Sequence, residues 1–175
     1  MNKCVFLDRD GVINEERGTY TFKIEDFKII PGVIEALNIL HKNGYILVVV
    51  TNQAGITRGL FTEEDVKRCH SYMMEETNHL IDKIYYASYY PEFSNSLLRK
   101  PDSLMFEKAL ARFDIDPNAS WMVGNSERDL IPAVKLGIRT IFIGNETPEV
   151  KADFLVKDLL EATKKIISHK GNLLE

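Results

Sequence analysis

Short apolar, β-branched runs alternate with helical patterns along the chain, and this alternation is the tightest constraint on its fold. Cys4–Leu7 reads as a buried strand that ends abruptly in Asp8–Arg9–Asp10–Gly11. Val33, Ile34, Leu37 and Leu40 then recur at helical spacing behind Pro31–Gly32, with Asn43–Gly44 as the stop signal. Tyr45–Val50 is a second strand, and Thr62–Glu63–Glu64–Asp65 opens a helix expected to reach about His79. Ile84–Ser88 is a third strand, Tyr89–Leu98 a loop, and Asp102 the expected cap of a helix through roughly Arg112. Trp121–Val123, Arg139–Ile143 and Phe154–Val156 supply three more strands. A helix between the fourth and fifth strands stops before Gly137, and a last helix runs to about Ser168. The tail from His169 to Glu175 is expected to fray. Strands alternating with helices predict an α/β fold, a Rossmann-like parallel sheet with helices on both faces.

The 175 residues suffice for a single well-buried domain over 1–175 and not for two. A formal net charge of −4 argues against nucleic acid as the main partner, which would need a dense basic face. No apolar run approaches the ~20 residues that span a bilayer. The opening Met1–Leu7 is too short an apolar run for a signal peptide, so the expected location is the cytoplasm, without membrane partners. Cys4 and Cys69 form no CxxC pair and have no activating motif.

In a parallel sheet, ligands bind beyond the carboxyl ends of the strands. Polar residues gather at those ends here. Asp8 and Asp10 follow strand one, Thr51 and Asn52 follow strand two, and Asn125 and Asp129 follow strand four. Two carboxylates two residues apart can face the same side and offer hard oxygen to Mg²⁺. They can also divide labour, one attacking phosphorus and the other moving protons. Alone, the same four residues read equally well as a solvated acidic turn. Thr51 can bind phosphate oxygens or simply end a strand. Lys100 can neutralise a phosphate or be a surface lysine. Asn125 can ligate a metal or cap the next helix.

Taken in order, DxDG, Thr51, Lys100 before Pro101, and Gly124–Asn125 with Asp129 resemble the four motifs of the haloacid dehalogenase-like superfamily. The resemblance spans nearly the whole chain. It implies Asp8 as nucleophile, Asp10 as general acid and base, and Thr51 and Lys100 as phosphate ligands. It further implies Mg²⁺ on Asp8, the Asp10 backbone carbonyl and Asn125, with Asp129 in support. Phe6–Asn14, Val48–Ile56 with Arg58–Gly59, Ile84–Tyr86, Arg99–Pro101 and Met122–Gly124 are similar to the heptose bisphosphate phosphatases, with the histidinol-phosphatases close behind. That likeness adds Asn52, Gln53, Ala54, Arg99 and the loop Glu16–Arg17–Gly18 as substrate contacts. The implied partner is a phosphorylated sugar or similar metabolite, and the expected assembly a monomer or small homo-oligomer.

Two departures stand out. Typical members of that group carry a zinc-binding loop of Cys and His before the Arg-Lys-Pro, but Ala87–Leu98 has neither residue, so no zinc is expected. Packing is the expected role for most of Tyr86, Tyr89, Tyr90 and Phe93. Asn125 stands where these relatives carry Asp, which predicts weaker Mg²⁺ binding. No insertion is long enough for a cap domain, so the expected form is capless, with Glu15–Phe22 as lid candidate. The rival readings are a phosphoacceptor signalling domain and a fold member that binds phosphate without hydrolysing it. The second carboxylate, Asp10, argues against the first.

Overall fold

The computed structural model describes residues 1–169. Six strands form one parallel sheet: β1 (Lys3–Leu7), β2 (Tyr45–Asn52), β3 (Lys83–Ala87), β4 (Trp121–Gly124), β5 (Arg139–Ile143) and β6 (Phe154–Val156). Their spatial order is β3-β2-β1-β4-β5-β6. The helices are α1 (Val33–Lys42), α2 (Glu63–Glu76), α3 (Leu104–Phe113), α4 (Glu127–Lys135) and α5 (Leu159–His169).

Side-chain alternation along the strands builds a core on each face. Val5, Leu7, Leu47 and Val49 point to the side covered by α1, α2 and α5. Cys4, Phe6, Val48 and Val50 point to the side covered by α3 and α4. Because both faces are buried, the strands read as continuous apolar runs. Each fully buried Leu, Val or Phe contributes roughly 1.5–3 kcal/mol. Cys4 and Cys69 are unpaired members of these cores. Among the described residues no helix is long and apolar enough to cross a membrane.

The chain runs outward from β1 to β2 and β3, then returns to pair β4 on the other side of β1. That reversal opens a crevice at the carboxyl end of β1, between the ends of β2 and β4. Asp8 is the first residue past β1, so it lies at the mouth of this crevice.

Strand ends differ from the sequence expectation by one or two residues, with β2 taking in Thr51 and Asn52, and three helix ends differ as well. Helix α2 stops at Glu76, short of His79, because Asn78 and His79 adopt φ of 52° and 56°. The Thr77 hydroxyl donates to the Met73 carbonyl at 2.7 Å and helps close that end. Helix α3 is entered from Ser103 rather than Asp102, whose backbone N–H is committed to a turn with the Arg99 carbonyl at 2.8 Å. His169, expected to begin a frayed tail, closes α5, and its ring meets Trp121 edge-on at 5.4 Å. The rest of that tail, residues 170–175, lies outside the described residues.

Candidate active site

The crevice is an open cleft of about 410 Å³, within the usual range for small-molecule sites. Asp8, Asp10, Thr51, Asn52, Ala54, Arg99, Lys100, Asn125 and Asp129 all line it. Glu16 and Gly18 close it from the Glu15–Phe22 loop.

Asp8 faces a cation that is already fully engaged. The Lys100 ammonium donates to Asp8 Oδ1 at 2.8 Å, to the Val50 carbonyl at 2.7 Å and to Asp129 Oδ1 at 2.6 Å. Three N–H groups meet three acceptors, which fixes the head of an otherwise flexible side chain. Burial disfavours the ammonium, but the charges of Asp129 and Asp8 outweigh it and raise the Lys100 pKa. The Asp8 carboxyl is pushed up to about 7, first by burial and then by the charge of Asp129, against the pull of Lys100. Among the described residues no protein donor meets Asp8 Oδ2, so one oxygen is tethered and the other is open.

Neighbouring residues hold this arrangement. The Asn52 side-chain amide and the Lys100 backbone exchange two hydrogen bonds, both 3.0 Å, which join the end of β2 to the segment entering α3. Asp129 uses its second oxygen to accept from the Ser126 backbone N–H at 3.0 Å, completing a capping box on α4. Asn125 is therefore not the cap of this helix. Gly124 is needed here, since a Cβ on it would lie 2.4 Å from the Asp129 Cβ. Both Asp129 oxygens accept protein donors, so its carboxylate is held between Lys100 and the start of α4.

Asp10 lies in the opposite environment. Arg9, fully buried, forks onto both carboxylate oxygens at 3.0 and 3.1 Å. Asn14 and Gln53 add donors at 2.9 and 3.2 Å. Burial works against the charged form, yet Arg9 above all, with Asn14 and Gln53, holds the Asp10 pKa below its ordinary value. Gln53 also donates to Thr51 Oγ1 at 3.0 Å, tying the expected phosphate ligand to Asp10. Behind Arg9, Nε2 of His70 accepts from the guanidinium at 3.5 Å. Burial, with Arg9 next, pushes the His70 pKa down to about 3, so the ring is neutral.

The donor set fits a hard divalent cation. Asp8 has its open oxygen, and the Asn125 amide packs on Gly11 so closely that a Cβ there would lie 2.0 Å from Nδ2. Gly11, at φ 80°, has no side chain and thereby seats Asn125 beside the DxDG loop. A carboxylate, a backbone carbonyl and an amide are all oxygen donors of the kind Mg²⁺ takes together with water. Among the described residues no cluster of three or more His, Cys, Asp or Glu is placed to hold a metal.

Two expected substrate contacts lie off the cleft wall. Arg17 pairs with Asp26 Oδ2 at 2.8 Å instead, and Gln53 is buried behind Asp10 and Thr51. Sequence reasoning named Thr19 and Tyr20 only within the Glu15–Phe22 lid candidate and missed Ser126 and Arg128; all four line the cleft. It also missed the buried Arg9 and His70 behind Asp10. Ser126 and Arg128 lie within four residues of the end of β4, so the strand-end rule could have reached them. His70 carried no such signal.

The Tyr-rich loop is only partly packed. Tyr86 donates to Glu63 Oε1 at 2.6 Å, and the Tyr90 ring lies 4.8 Å from the Arg58 guanidinium carbon and 5.9 Å from that of Arg99. Tyr89 and Phe93 are 37% and 65% exposed, so neither is buried in the core, and the Phe93 ring meets Tyr90 at 6.4 Å.

Similarity to known proteins agrees with this geometry. The family model for haloacid dehalogenase-like hydrolase matches residues 8–143. A D-glycero-beta-D-manno-heptose-1,7-bisphosphate 7-phosphatase of Haemophilus ducreyi is 38% identical, over 91% of this chain and 95% of its own. A D-glycero-alpha-D-manno-heptose-1,7-bisphosphate 7-phosphatase of Campylobacter jejuni is 37% identical, over 82% of this chain and 83% of its own. Among solved structures, the D,D-heptose 1,7-bisphosphate phosphatase from B. bronchiseptica, complexed with magnesium and phosphate, superimposes with a TM-score of 0.85. It is 25% identical and covers 97% of this chain and 99% of its own. A carboxylate-bearing cleft at the β1 switch point, a matching family model and relatives matched over nearly their full length lead to one assignment: the chain belongs to the haloacid dehalogenase-like hydrolases, as a phosphatase related to the heptose bisphosphate phosphatases.

Proposed function

We propose that this chain is a Mg²⁺-dependent phosphatase of a sugar bisphosphate resembling heptose 1,7-bisphosphate, acting through a phosphate ester on Asp8. The observation that carries the reading is the Asp8 carboxylate itself. One oxygen is pinned by Lys100 and the other is open in a cleft that takes a small molecule.

The open oxygen of Asp8 attacks phosphorus in line, and the bond from phosphorus to the sugar oxygen breaks. Asp10 gives that oxygen a proton, and the sugar leaves as an alcohol. Asp10 then takes a proton from water as the water attacks phosphorus, which releases phosphate and restores Asp8. Lys100 holds Asp8 in line and offsets charge on the phosphoryl oxygens. Mg²⁺, held by Asp8, the Asp10 carbonyl and Asn125, would neutralise phosphate charge and orient the group for attack. Bound to Arg9, Asp10 is in its base form. Its acid role therefore requires turning from the Arg9 fork toward the cleft, where burial without the fork favours the protonated carboxyl.

The test is phosphate release from heptose 1,7-bisphosphate anomers, sugar monophosphates, histidinol phosphate and an aryl phosphate, with and without Mg²⁺ and with Asp8→Asn as the blank. Mg²⁺-dependent release that vanishes in the blank is the expected result. A long-lived phosphate on Asp8 without turnover would instead make the chain a phosphoacceptor.

A further inference from the structure

Away from the cleft, a second pocket of about 480 Å³ opens between α2 and the start of β3, and the two share no lining residue. Lys67, His70, Ser71 and Met74 line it from α2, a single helical stripe at i, i+3, i+4 and i+7. The other wall is the entry to β3, the outer strand of the sheet, with Ile81, Lys83 and Ile84. Three apolar side chains and a few polar groups are the usual lining of a small-molecule site. The charges favour an anion. Asp82, the one carboxylate in the lining, already accepts the Leu47 backbone N–H at 2.8 Å. Lys67 meets Glu63 at 3.3 Å in an exposed pair, which holds it weakly. Lys83 has no carboxylate within ion-pairing distance among the described residues.

His70 ties this pocket to the reaction. Its side chain is only 7% exposed. A guanidinium can only donate, so the Arg9 Nη1 contact with Nε2 at 3.5 Å puts the imidazole proton on Nδ1. Among the described residues no protein acceptor meets that Nδ1–H. A buried donor left over in this way needs water or a ligand. Arg9 in turn forks onto Asp10 at 3.0 and 3.1 Å. One imidazole therefore lines the pocket and touches the partner of Asp10, and no step of the hydrolysis uses it.

We propose that this pocket is a regulatory site for a small organic anion, a carboxylate or phosphate head on a short apolar body. The head takes Lys67, Lys83 and the His70 Nδ1–H, and the body lies on Met74, Ile81 and Ile84. An anion that accepts from Nδ1–H makes Nε2 a stronger acceptor, because linked hydrogen bonds polarise one another. Nε2 then competes with Asp10 for Arg9 and loosens the fork that Asp10 must leave to act as an acid. The site itself stands apart from the phosphatase reading, and only its effect on rate rests on that reading.

The experiment has a binding arm and a coupling arm. Hexanoate and hexylphosphonate are titrated into the full chain by NMR, with Mg²⁺ and inorganic phosphate present to occupy the cleft. Saturable shifts of the His70 ring and Met74 methyl signals are expected, and the tighter probe names the head. Affinity should be at least tenfold weaker in Lys67→Gln/Lys83→Gln, a fall worth about 1.4 kcal/mol or more. Neither lysine is buried, so that variant should keep its fold. No shift at His70 and Met74, or an affinity within about twofold in the double variant, would overturn the site. In the coupling arm, saturating hexanoate should move the Asp10 carboxyl ¹³C signal in the wild type and not in His70→Gln. It should also raise kcat on the sugar bisphosphate at least twofold in the wild type alone. A carboxyl signal and a rate that both stay still while the pocket is filled refute the link to Asp10. Binding and the carbon signal need no turnover, so a chain that hydrolyses nothing would fail the phosphatase reading and leave this site to be judged on its own.

Discussion

Asp8 and Asp10 are the same residue type, two positions apart on one loop, and the protein treats them oppositely. Burial first, and then the charge of Asp129, with which it shares a lysine, drive the Asp8 pKa up. Asp8 keeps one oxygen free of protein donors. Asp10 has a guanidinium that it shares with no other carboxylate and two amide donors besides, so its pKa is driven down. The difference lies in what surrounds each carboxylate, since neither spacing nor residue type distinguishes them. A nucleophile needs an open oxygen held in line, and a proton carrier needs a partner that sets its charge state.

Removing each carboxylate in turn tests the comparison most severely. Asp8→Asn should lower kcat by at least about 10⁴-fold, because an amide cannot form the phosphate ester. Asp10→Asn should lower it by roughly 10²–10⁴-fold. With an aryl phosphate, whose leaving group needs no acid, Asp10→Asn should accumulate phosphate on Asp8, visible by intact-protein mass spectrometry. Finding no phosphorylated protein there would remove Asp10 from the hydrolysis step.

The Asp10 side should also be the more fragile. Arg9→Met leaves a half-buried carboxylate with only amide donors, at a cost of up to about 3–5 kcal/mol in urea unfolding. A loss under 1 kcal/mol would show that Asn14 and Gln53 suffice.

His70 offers a pH test of the same region. Its folded pKa, about 3, lies below the ordinary 6.5. Between those values the unfolded chain binds the extra proton, so stability is full above about pH 6.5 and falls as pH drops. At pH 5 the loss should reach about 2 kcal/mol relative to pH 7, and His70→Gln should lack it. Asp8, with its raised pKa, contributes with the opposite sign: its share is greatest in acid and is lost as pH rises through about 7. That share is common to both proteins and cancels in their difference. Identical slopes for the two proteins would mean that His70 is not buried neutral.

The smallest effect is expected on the metal. Asn125→Asp should lower the Mg²⁺ concentration for half-maximal activity by about fivefold, the scale of one added charge at contact in a solvated site. No change would place Asn125 outside the metal's ligands.

Some of this was legible before the structure and some was not, and individual residues show why. The continuous apolar runs of β1 and β2 marked buried strands, because a sheet covered on both faces leaves such a run unbroken. Asp8, Thr51, Lys100 and Asn125 could be picked out because strand ends and ordered motifs are properties of the chain itself. Arg17 could not be separated from its neighbours Glu16 and Gly18. Nothing local says that its charge is taken by Asp26. Helix α2 looked long enough to reach His79, since the left-handed turn at Asn78 leaves no mark on helical periodicity.

The sequence by itself determined the layered parallel sheet and the residue types delivered to the carboxyl ends of its strands, which follow from periodicity and chain order. Only the tertiary structure decided which carboxylate shares Lys100 with Asp129 and which one Arg9 clasps. Charge states and partnerships depend on distances between residues as much as 92 positions apart, and a one-dimensional pattern holds no such distances.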